Sequence, residues 1–259
     1  MPTFEVTGAE LAVALSDEGG HPVVQLHGLT SSRARDRVLN LDLGRGLSGT
    51  RLLRYDARGH GRSTGRKVAE DYTWATLADD LLRLLDHWFP GEQVHGVGPS
   101  MGAATLLHAA AREPDRFVGL TLMVPPTAWE TRAAQAQNYR DDADLVESEG
   151  VDALIAAHRG GTPPPATAGA PETVPDVADA LLPSLLRGAA MSDLPAPDAI
   201  ARIDVPTSIL AWIDDPGHPL STAQTLASLL PCATLSVASD PVDVGTWPQA
   251  LKHDVARRG

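Results

Sequence analysis

The sequence VHGVGPSMGAA at residues 94–104 decides the fold. An apolar run breaks at a glycine, presents one serine and resumes as an alanine-rich pattern, which predicts a strand, a sharp turn and a helix. A serine at the tip of such a turn takes a strained backbone conformation, and Gly98 and Gly102 leave room there for a neighbouring segment. The stretch therefore predicts that Ser100 is held between a strand and a helix. The alternative is a glycine-rich loop with an idle serine.

Apolar runs of strand length alternate with helical patterns on both sides of this stretch. Leucines at helical spacing between Leu77 and Trp88, for example, predict an amphipathic helix that ends at Pro90 and Gly91. Continuous apolar strands that alternate with helices indicate a mostly parallel, doubly wound α/β sheet covered on both faces. The predicted strands are 4–6, 11–15, 22–26, 50–55, 117–124, 205–213 and 233–238, and further helices are 101–112, 222–230 and one from Pro248 onward.

The alternation stops after Pro125 and Pro126, and helical patterns dominate up to about Ile200. Thr127 and Glu130 have the spacing of a capping box, which predicts a helix start there. We therefore expect a core formed by residues 1–125 and 201–259 and a helical cap formed by residues 126–200.

Composition and charge narrow the class of protein. A chain of 259 residues can bury a sizeable core without disulfides or metals, and its net charge of −12 disfavours a nucleic-acid partner. No apolar stretch is long enough to span a membrane and no leader pattern opens the chain, so we expect a cytoplasmic protein with no membrane partner. The single cysteine, Cys232, is expected to be a buried, inert thiol. Oligomeric state stays open.

Three motifs in the same chain order resemble those of the α/β-hydrolase family, and the resemblance covers nearly the whole chain. They are the G-x-S-x-G elbow around Ser100, the His27-Gly28 pair after an early strand, and Asp56-Ala57-Arg58-Gly59-His60-Gly61-Arg62-Ser63, which matches a D-x-R-G-x-G-x-S segment. The family uses that segment for architecture, so we expect Asp56 and Arg58 to pair with each other or with the backbone.

The resemblance implies Ser100 as the nucleophile and two backbone donors for an oxyanion hole. These donors are the N–H groups of Leu29, after the His-Gly pair, and of Met101, after the nucleophile. Acyl transfer needs such donors because negative charge develops on the substrate oxygen in the transition state. His27 itself is also interpreted as a histidine that positions the loop.

The family places its catalytic acid after the strand predicted at 205–213. Two aspartates follow that strand, and Asp215, which directly precedes Pro216, has the matching spacing. A carboxylate there would fix the tautomer of the base and stabilise its charged form. Asp214 is interpreted as a solvated loop carboxylate.

The base departs from the family pattern, because Thr246 stands where a histidine is expected in the loop after the last strand. His218 is the candidate replacement. Pro216 and Gly217 are typical of the centre of a type II turn, which would bring His218 next to Asp215. The alternative is a solvent-facing turn histidine.

Taken together, the sequence predicts a serine hydrolase that acts on an ester, thioester or related acyl bond of a small molecule. Trp129 and Tyr139 are candidate substrate-binding residues of the cap, with packing as their alternative role. No metal cluster or dinucleotide motif points to a cofactor. Because Thr246 is not a histidine, a ligand-binding protein without turnover stays open, as does a cofactor-free lyase or isomerase.

Overall fold

The computed structural model describes residues 2–172 and 174–257 of the chain. Eight strands form one sheet, and each strand predicted from the sequence is present, with its ends shifted by a few residues at most. The strands are β1 (Thr3–Val6), β2 (Ala9–Asp17), β3 (His21–Gln25), β4 (Thr50–Tyr55), β5 (Val94–Pro99), β6 (Phe117–Met123), β7 (Thr207–Trp212) and β8 (Ala233–Ala238).

The strand order is β1-β2-β4-β3-β5-β6-β7-β8. β1 and β2 form an antiparallel hairpin, β2 also runs antiparallel to β4, and every pair from β4 to β8 is parallel. The carboxyl ends of β3 to β8 therefore meet at one edge of the sheet, where ligand sites of open α/β sheets lie. This arrangement confirms the predicted mostly parallel α/β fold.

Helices cover both faces of this sheet. They are α1 (Arg33–Val38), α2 (Trp74–Trp88), α3 (Met101–Arg112), α4 (Arg132–Glu149), α5 (Val151–His158), α6 (Leu182–Ala190), α7 (Pro197–Ile200), α8 (Leu220–Leu229), α9 (Pro241–Val244) and α10 (Trp247–Ala256). Thr73 caps α2 by accepting the Thr76 N–H, and the leucines predicted to form its apolar face are buried. All six residues of β5 are buried, as expected for a strand covered on both faces.

The segment between β6 and β7 contains α4 to α7 and lies across the loops that follow β3 and β4. Asp176 makes the contacts: its N–H donates to the Thr30 carbonyl over 2.9 Å, and its carbonyl accepts the Gly61 N–H over 2.7 Å. Its carboxylate also accepts the Ser32 hydroxyl over 2.5 Å. Helices α4, α5 and α6 share a hydrophobic cluster of their own, formed by Ala143, Val146, Leu154, Leu182 and Leu186.

Two local predictions are wrong. The helix expected to start with a capping box at Thr127 starts at Arg132, because the Thr127 hydroxyl accepts the Arg132 guanidinium instead of capping a helix. Cys232 is exposed, because it lies in the turn that leads into the edge strand β8. Within residues 2–172 and 174–257, no helix has the length and apolar character to cross a membrane.

Candidate active site

Ser100 joins β5 to α3 in a strained backbone conformation. Its φ is 50° and its ψ is −111°, a region that costs a non-glycine residue about 1 to 3 kcal/mol. A Cβ on Gly98 or on Gly102 would lie 3.0 Å from the Leu26 Cβ, so both positions need glycine for the close approach of the chain after β3. The Ser100 N–H donates to the Met123 carbonyl over 2.9 Å, which ties the turn to β6.

The structure brings His218 to Ser100. The Ser100 Oγ and the His218 Nε2 are 2.8 Å apart, and the His218 Nδ1 is 2.8 Å from the Asp215 Oδ2. The side chains of His218 and Asp215 are mostly shielded from solvent, with exposures of 25% and 13%. The serine hydroxyl, the imidazole and the carboxylate thus form one hydrogen-bonded chain, an arrangement in which an imidazole can accept the proton of a serine hydroxyl.

Asp215 is fixed by four donors. Its Oδ1 accepts the Gly217 N–H over 2.9 Å and the His218 N–H over 3.3 Å, while its Oδ2 accepts the Trp212 indole N–H over 2.7 Å and the His218 ring. Burial alone would raise the pKa of this carboxyl, but His218 and the other donors lower its pKa to about 2. Asp215 is therefore ionised at neutral pH. Asp214 is exposed and has a φ of 58°.

The turn that carries these residues differs from the prediction in type. The His218 N–H does donate to the Asp215 carbonyl over 3.2 Å, so the first and fourth residues are close as expected. Gly217 lacks the positive φ of a type II turn, so that turn type is wrong. The Asp215 carboxylate accepts two backbone N–H groups of the turn, which is the side-chain turn motif typical of aspartate.

Leu29 and Met101 lie on the two segments that flank Ser100. Met101 begins α3, so its N–H belongs to the first helical turn, whose donors have no carbonyl partner within the helix. Gly28 lies beside the serine, because a Cβ on Gly28 would be 3.9 Å from the Ser100 Cβ. The role of the two N–H groups as oxyanion donors stays a prediction.

Two buried histidines brace the loop that carries Leu29. The His27 Nε2 accepts the Ala57 N–H over 2.9 Å, and its Nδ1 donates to the Gly28 carbonyl over 2.8 Å. The His60 Nε2 accepts the Thr30 N–H over 3.3 Å. Burial lowers the pKa of His27 and lowers that of His60 to about 3, so both rings are neutral and can accept these bonds at neutral pH.

Asp56 and Arg58 are architectural, but their partners differ from the expected ones. The Asp56 carboxylate binds the Arg33 side chain over 2.9 Å and accepts the backbone N–H groups of Arg33 and Arg62. Arg58 forms two bonds of 2.7 Å to Asp80 on α2. The expected backbone contacts are thus present, whereas the expected pair between Asp56 and Arg58 is wrong because each residue meets a partner from a neighbouring helix.

Trp129 and Tyr139 make contacts within the segment between β6 and β7. The Trp129 indole N–H donates to the Pro195 carbonyl over 3.1 Å, and its backbone N–H donates to the Asp193 carboxylate. The Tyr139 ring packs against the Arg132 guanidinium, 5.4 Å from the ring centroid. These contacts hold the segment together, and a role of either residue in binding substrate stays a prediction.

Thr246, the residue predicted to stand at the family's histidine position, lies between α9 and α10 and is exposed. Its Oγ1 donates to the Asp243 carbonyl over 2.6 Å. The next residue, Trp247, stacks on Trp212 with ring centroids 5.8 Å apart and planes inclined by 18°. His253, further along α10, is exposed.

Sequence reasoning missed two contacts that fix the turn at 215–218. One is the Trp212 indole bond to Asp215, which the spacing of three residues after a strand end could have suggested. The other is the bond of 3.1 Å from the Thr127 N–H to the Gly217 carbonyl. A contact between two backbone groups far apart in the chain leaves no signal in the residue types. In the described part of the chain, no three His, Cys, Asp or Glu side chains are grouped to hold a metal ion.

A serine turn at the carboxyl edge of a mostly parallel sheet is the architecture of an α/β-hydrolase-fold protein. A family model described as "alpha/beta hydrolase fold" matches residues 21–161, more than half of the chain. The chain belongs to this family.

Relatives and solved structures of similar fold include esterases and lactonases. 3-Oxoadipate enol-lactonase 2 of Acinetobacter baylyi is 30% identical over 216 residues, which cover 79% of this chain and 76% of the relative. The structure of the enol-lactonase from Burkholderia xenovorans has a TM-score of 0.79 at 21% identity and covers 98% of this chain and 100% of that chain. A thermophilic esterase from Thermogutta terrifontis has a TM-score of 0.77 at 22% identity and covers 99% of both chains. These two likenesses show the fold.

Proposed function

We propose that this protein is a serine hydrolase that cleaves an ester, thioester or related acyl bond of a small molecule. Ser100 is the nucleophile, His218 the general base and Asp215 the acid that orients it. The observation that carries the proposal is the chain of two 2.8 Å contacts, from the Ser100 Oγ to the His218 Nε2 and from the His218 Nδ1 to Asp215.

In the acylation half of the reaction, the His218 Nε2 takes the proton of the Ser100 hydroxyl while the Oγ forms a bond to the substrate carbonyl carbon. The negative charge moves to the carbonyl oxygen, next to the N–H groups of Leu29 and Met101. When the carbonyl re-forms, the bond to the leaving alkoxide or thiolate breaks, and His218 returns the proton to it. Water then attacks the acyl-enzyme by the same steps, releasing the acid and restoring Ser100.

Asp215 makes His218 a suitable base in two ways. Its ionised carboxylate binds the Nδ1–H and so leaves the Nε2 lone pair directed at Ser100. It also stabilises the positive charge of the imidazole that forms when the serine proton arrives. A base and its orienting group within hydrogen-bond reach of the nucleophile are the requirements for this chemistry.

The names of the relatives narrow the class of acyl bond that we propose this protein cleaves. The Acinetobacter relative and the Burkholderia structure are named enol-lactonases, and the Thermogutta structure is named an esterase. We therefore place carboxylic esters, open or cyclic, first among the acyl bonds that Ser100 attacks. The substrate is a small molecule in this proposal.

Residues 126–200 form the cap of this proposed enzyme, over the core formed by residues 1–125 and 201–259. Supporting evidence is the separate hydrophobic cluster of α4, α5 and α6 and the bonds from Asp176 to the loops beside the serine. Such a cap controls entry of substrate and excludes water. Limited proteolysis should cut within 160–171, and a covalent phosphonate on Ser100 should slow that cleavage. Equal cleavage with and without the phosphonate would contradict the gating role.

A ligand-binding protein without turnover was suggested by Thr246, which cannot serve as a base. His218 offers an imidazole 2.8 Å from the Ser100 Oγ, so the lack of a histidine at position 246 is no longer a reason to prefer a binding protein. A lyase or isomerase would not need an acyl-enzyme. Labelling by a fluorophosphonate separates the hydrolase from the binding protein, because only an activated serine forms the covalent adduct, and hydrolysis of p-nitrophenyl esters separates it from the lyase or isomerase.

The test is Ser100→Ala, assayed on p-nitrophenyl acetate and butyrate. We expect a loss of kcat/KM of at least about 1,000-fold with an unchanged circular dichroism spectrum, because the elbow glycines and not the hydroxyl hold the turn. Wild-type protein should react with a fluorophosphonate at the peptide containing Ser100. Unchanged hydrolysis in the variant, or labelling at another residue, would refute the assignment.

A further inference from the structure

The first residue of α10 is a tryptophan that packs behind the candidate site. Trp247, directly after Thr246, stacks on Trp212 at the end of β7. Both indoles are buried, with exposures of 2% and 6%. The stack fixes the plane of the Trp212 ring and therefore the direction of its N–H group.

That N–H group points at the acid of the proposed catalytic unit. It donates to the Asp215 Oδ2 over 2.7 Å, and the same oxygen accepts the His218 Nδ1–H over 2.8 Å. The Trp212 ring also meets the His218 ring edge to face, with centroids 6.2 Å apart and planes at 85°. One indole thus contacts both the acid and the base.

Four hydrogen bonds hold the Asp215 carboxylate in one orientation. A carboxylate offers about four acceptor positions, and here Oδ1 accepts Gly217 N–H and His218 N–H while Oδ2 accepts the indole and the imidazole. Three of these donors belong to the turn itself. The indole is the donor from outside the turn, so it is the one that ties the carboxylate to the sheet.

We propose that Trp212, held by its stack on Trp247, is a positioning residue that fixes the Asp215 carboxylate and thereby keeps the His218 Nε2 directed at Ser100. This role rests on the proposed function, because it acts through the proposed acid and base. The start of α10, directly after Thr246, would thus support the acid and supply no base.

Loss of the indole N–H has two consequences that a loss of packing alone would not have. The Oδ2 keeps one partner, so the carboxylate and the imidazole it holds become less well oriented, which lowers kcat while leaving KM unchanged. The charge on Oδ2 is also less dispersed, so it stabilises the protonated imidazole more strongly. The acidic limb of the rate profile therefore moves to higher pH.

The experiment compares Trp212→Phe, Trp247→Phe and the matched control Trp88→Phe. Phenylalanine keeps an aromatic ring and removes the N–H, and Trp88 lies on α2 against Phe4. For p-nitrophenyl acetate, Trp212→Phe should lower kcat by roughly 10- to 100-fold, the effect of a hydrogen bond to a charged group. KM should change less than about 2-fold, and the acidic limb should move to higher pH. Trp247→Phe should lower kcat by less than about 5-fold, since it preserves most of the stack and the N–H of Trp212.

An NMR measurement tests the same contact without relying on activity. With the indole resonances of ¹³C,¹⁵N-labelled wild-type protein assigned by triple-resonance spectra, Asp215→Asn should shift that of Trp212 while leaving that of Trp88 unchanged. An unmoved Trp212 resonance in Asp215→Asn would overturn the proposal, and this variant keeps the Trp212 ring even if Trp212→Phe folds poorly.

The two measurements also separate failure of the positioning role from failure of the proposed function. Active wild-type protein with a Trp212→Phe variant that matches Trp88→Phe in kcat and in pH profile would overturn the positioning role alone. A wild-type protein that neither hydrolyses esters nor reacts with a fluorophosphonate would overturn the proposed function. In that case the contact itself would be judged by the indole shift in Asp215→Asn, which does not depend on activity.

Discussion

Ser100 is held by the backbone, whereas Asp215 and His218 are held by side chains. At Ser100 a positive φ and two closely approached glycines fix the turn, and no side-chain bond caps the helix that follows. At residues 215–218 the turn is closed by the aspartate itself, and an indole and an imidazole complete its bonds. A site that the backbone fixes requires glycine at set positions. A site that side chains fix requires only that those side chains meet, so its residues can lie at other positions of the chain.

The largest effect is expected from His218→Ala, which removes the side chain that the 215–218 turn presents to Ser100. We expect kcat/KM to fall at least about 1,000-fold, and the double variant with Ser100→Ala to lose little more, because members of one catalytic unit are not additive. Steady-state hydrolysis of p-nitrophenyl acetate by the two single variants and the double variant measures this coupling.

Thr246→His in the His218→Ala background is the matching control. We expect no recovery, because Thr246 is exposed and its side chain is turned toward Asp243, whereas the Asp215 carboxylate is fixed toward residue 218. Wild-type rates in His218→Ala, or recovery through Thr246→His, would show that the base is not tied to the turn.

The support of Ser100 by closely approached glycines is tested by Gly98→Ala. The new Cβ would lie 3.0 Å from the Leu26 Cβ and 3.2 Å from the Gly102 backbone, so the free energy of unfolding should fall by about 1 to 3 kcal/mol. Guanidinium denaturation followed by circular dichroism measures it. Gly46→Ala is the control, since a Cβ there meets no atom within 4 Å. Equal stability of the two variants would mean that the elbow does not depend on close approach.

The smallest effect is expected in acid, from Asp215→Asn. Because the pKa of Asp215 is lowered to about 2 in the folded protein, the unfolded chain binds the proton first as the pH falls. The stability that this carboxylate contributes is present above about pH 4 and is lost toward pH 2, by about 1 to 2 kcal/mol at most. Urea unfolding between pH 5 and pH 2 should therefore show a shallower loss in Asp215→Asn.

Asp214→Asn is the matched variant for that measurement. Asp214 is exposed and directly precedes Asp215, so its neutralisation changes the charge of the same loop without touching the bonds of the turn. Its pH dependence should follow that of the wild type. A slope like that of Asp215→Asn would mean that the loop charge as a whole, and not the bonded carboxylate, sets the acid stability.

The same contrast explains what the sequence could predict. The order of strands and helices follows from local patterns of apolar residues, and the elbow follows from glycine spacing, so both were predictable. The partners of Asp56 and Arg58 were not, because Arg33 and Asp80 reach them from helices far away in the chain. Long-range pairing of this kind is a property of packing, which residue types alone do not specify.

The site shows a further limit of sequence reasoning. That His218 lies near Asp215 follows from a short turn, yet the turn alone does not specify that the His218 Nε2 lies 2.8 Å from the Ser100 Oγ. The turn type was wrong because the aspartate side chain, and not glycine at positive φ, closes it. The prediction for Cys232 was wrong because its exposure depends on its place before β8, and the sequence does not reveal that β8 is the edge of the sheet.

Separation of only three residues between Asp215 and His218 changes which parts of the chain tolerate insertions and deletions. Where an acid and its base sit on two loops, a length change in either loop can break their register. Here a length change within 239–246 alters neither member of the pair, although it can disturb the stack of Trp247 on Trp212. A single residue inserted within 213–217 would displace both groups at once, so the tolerance to length variation is concentrated on one side of β8.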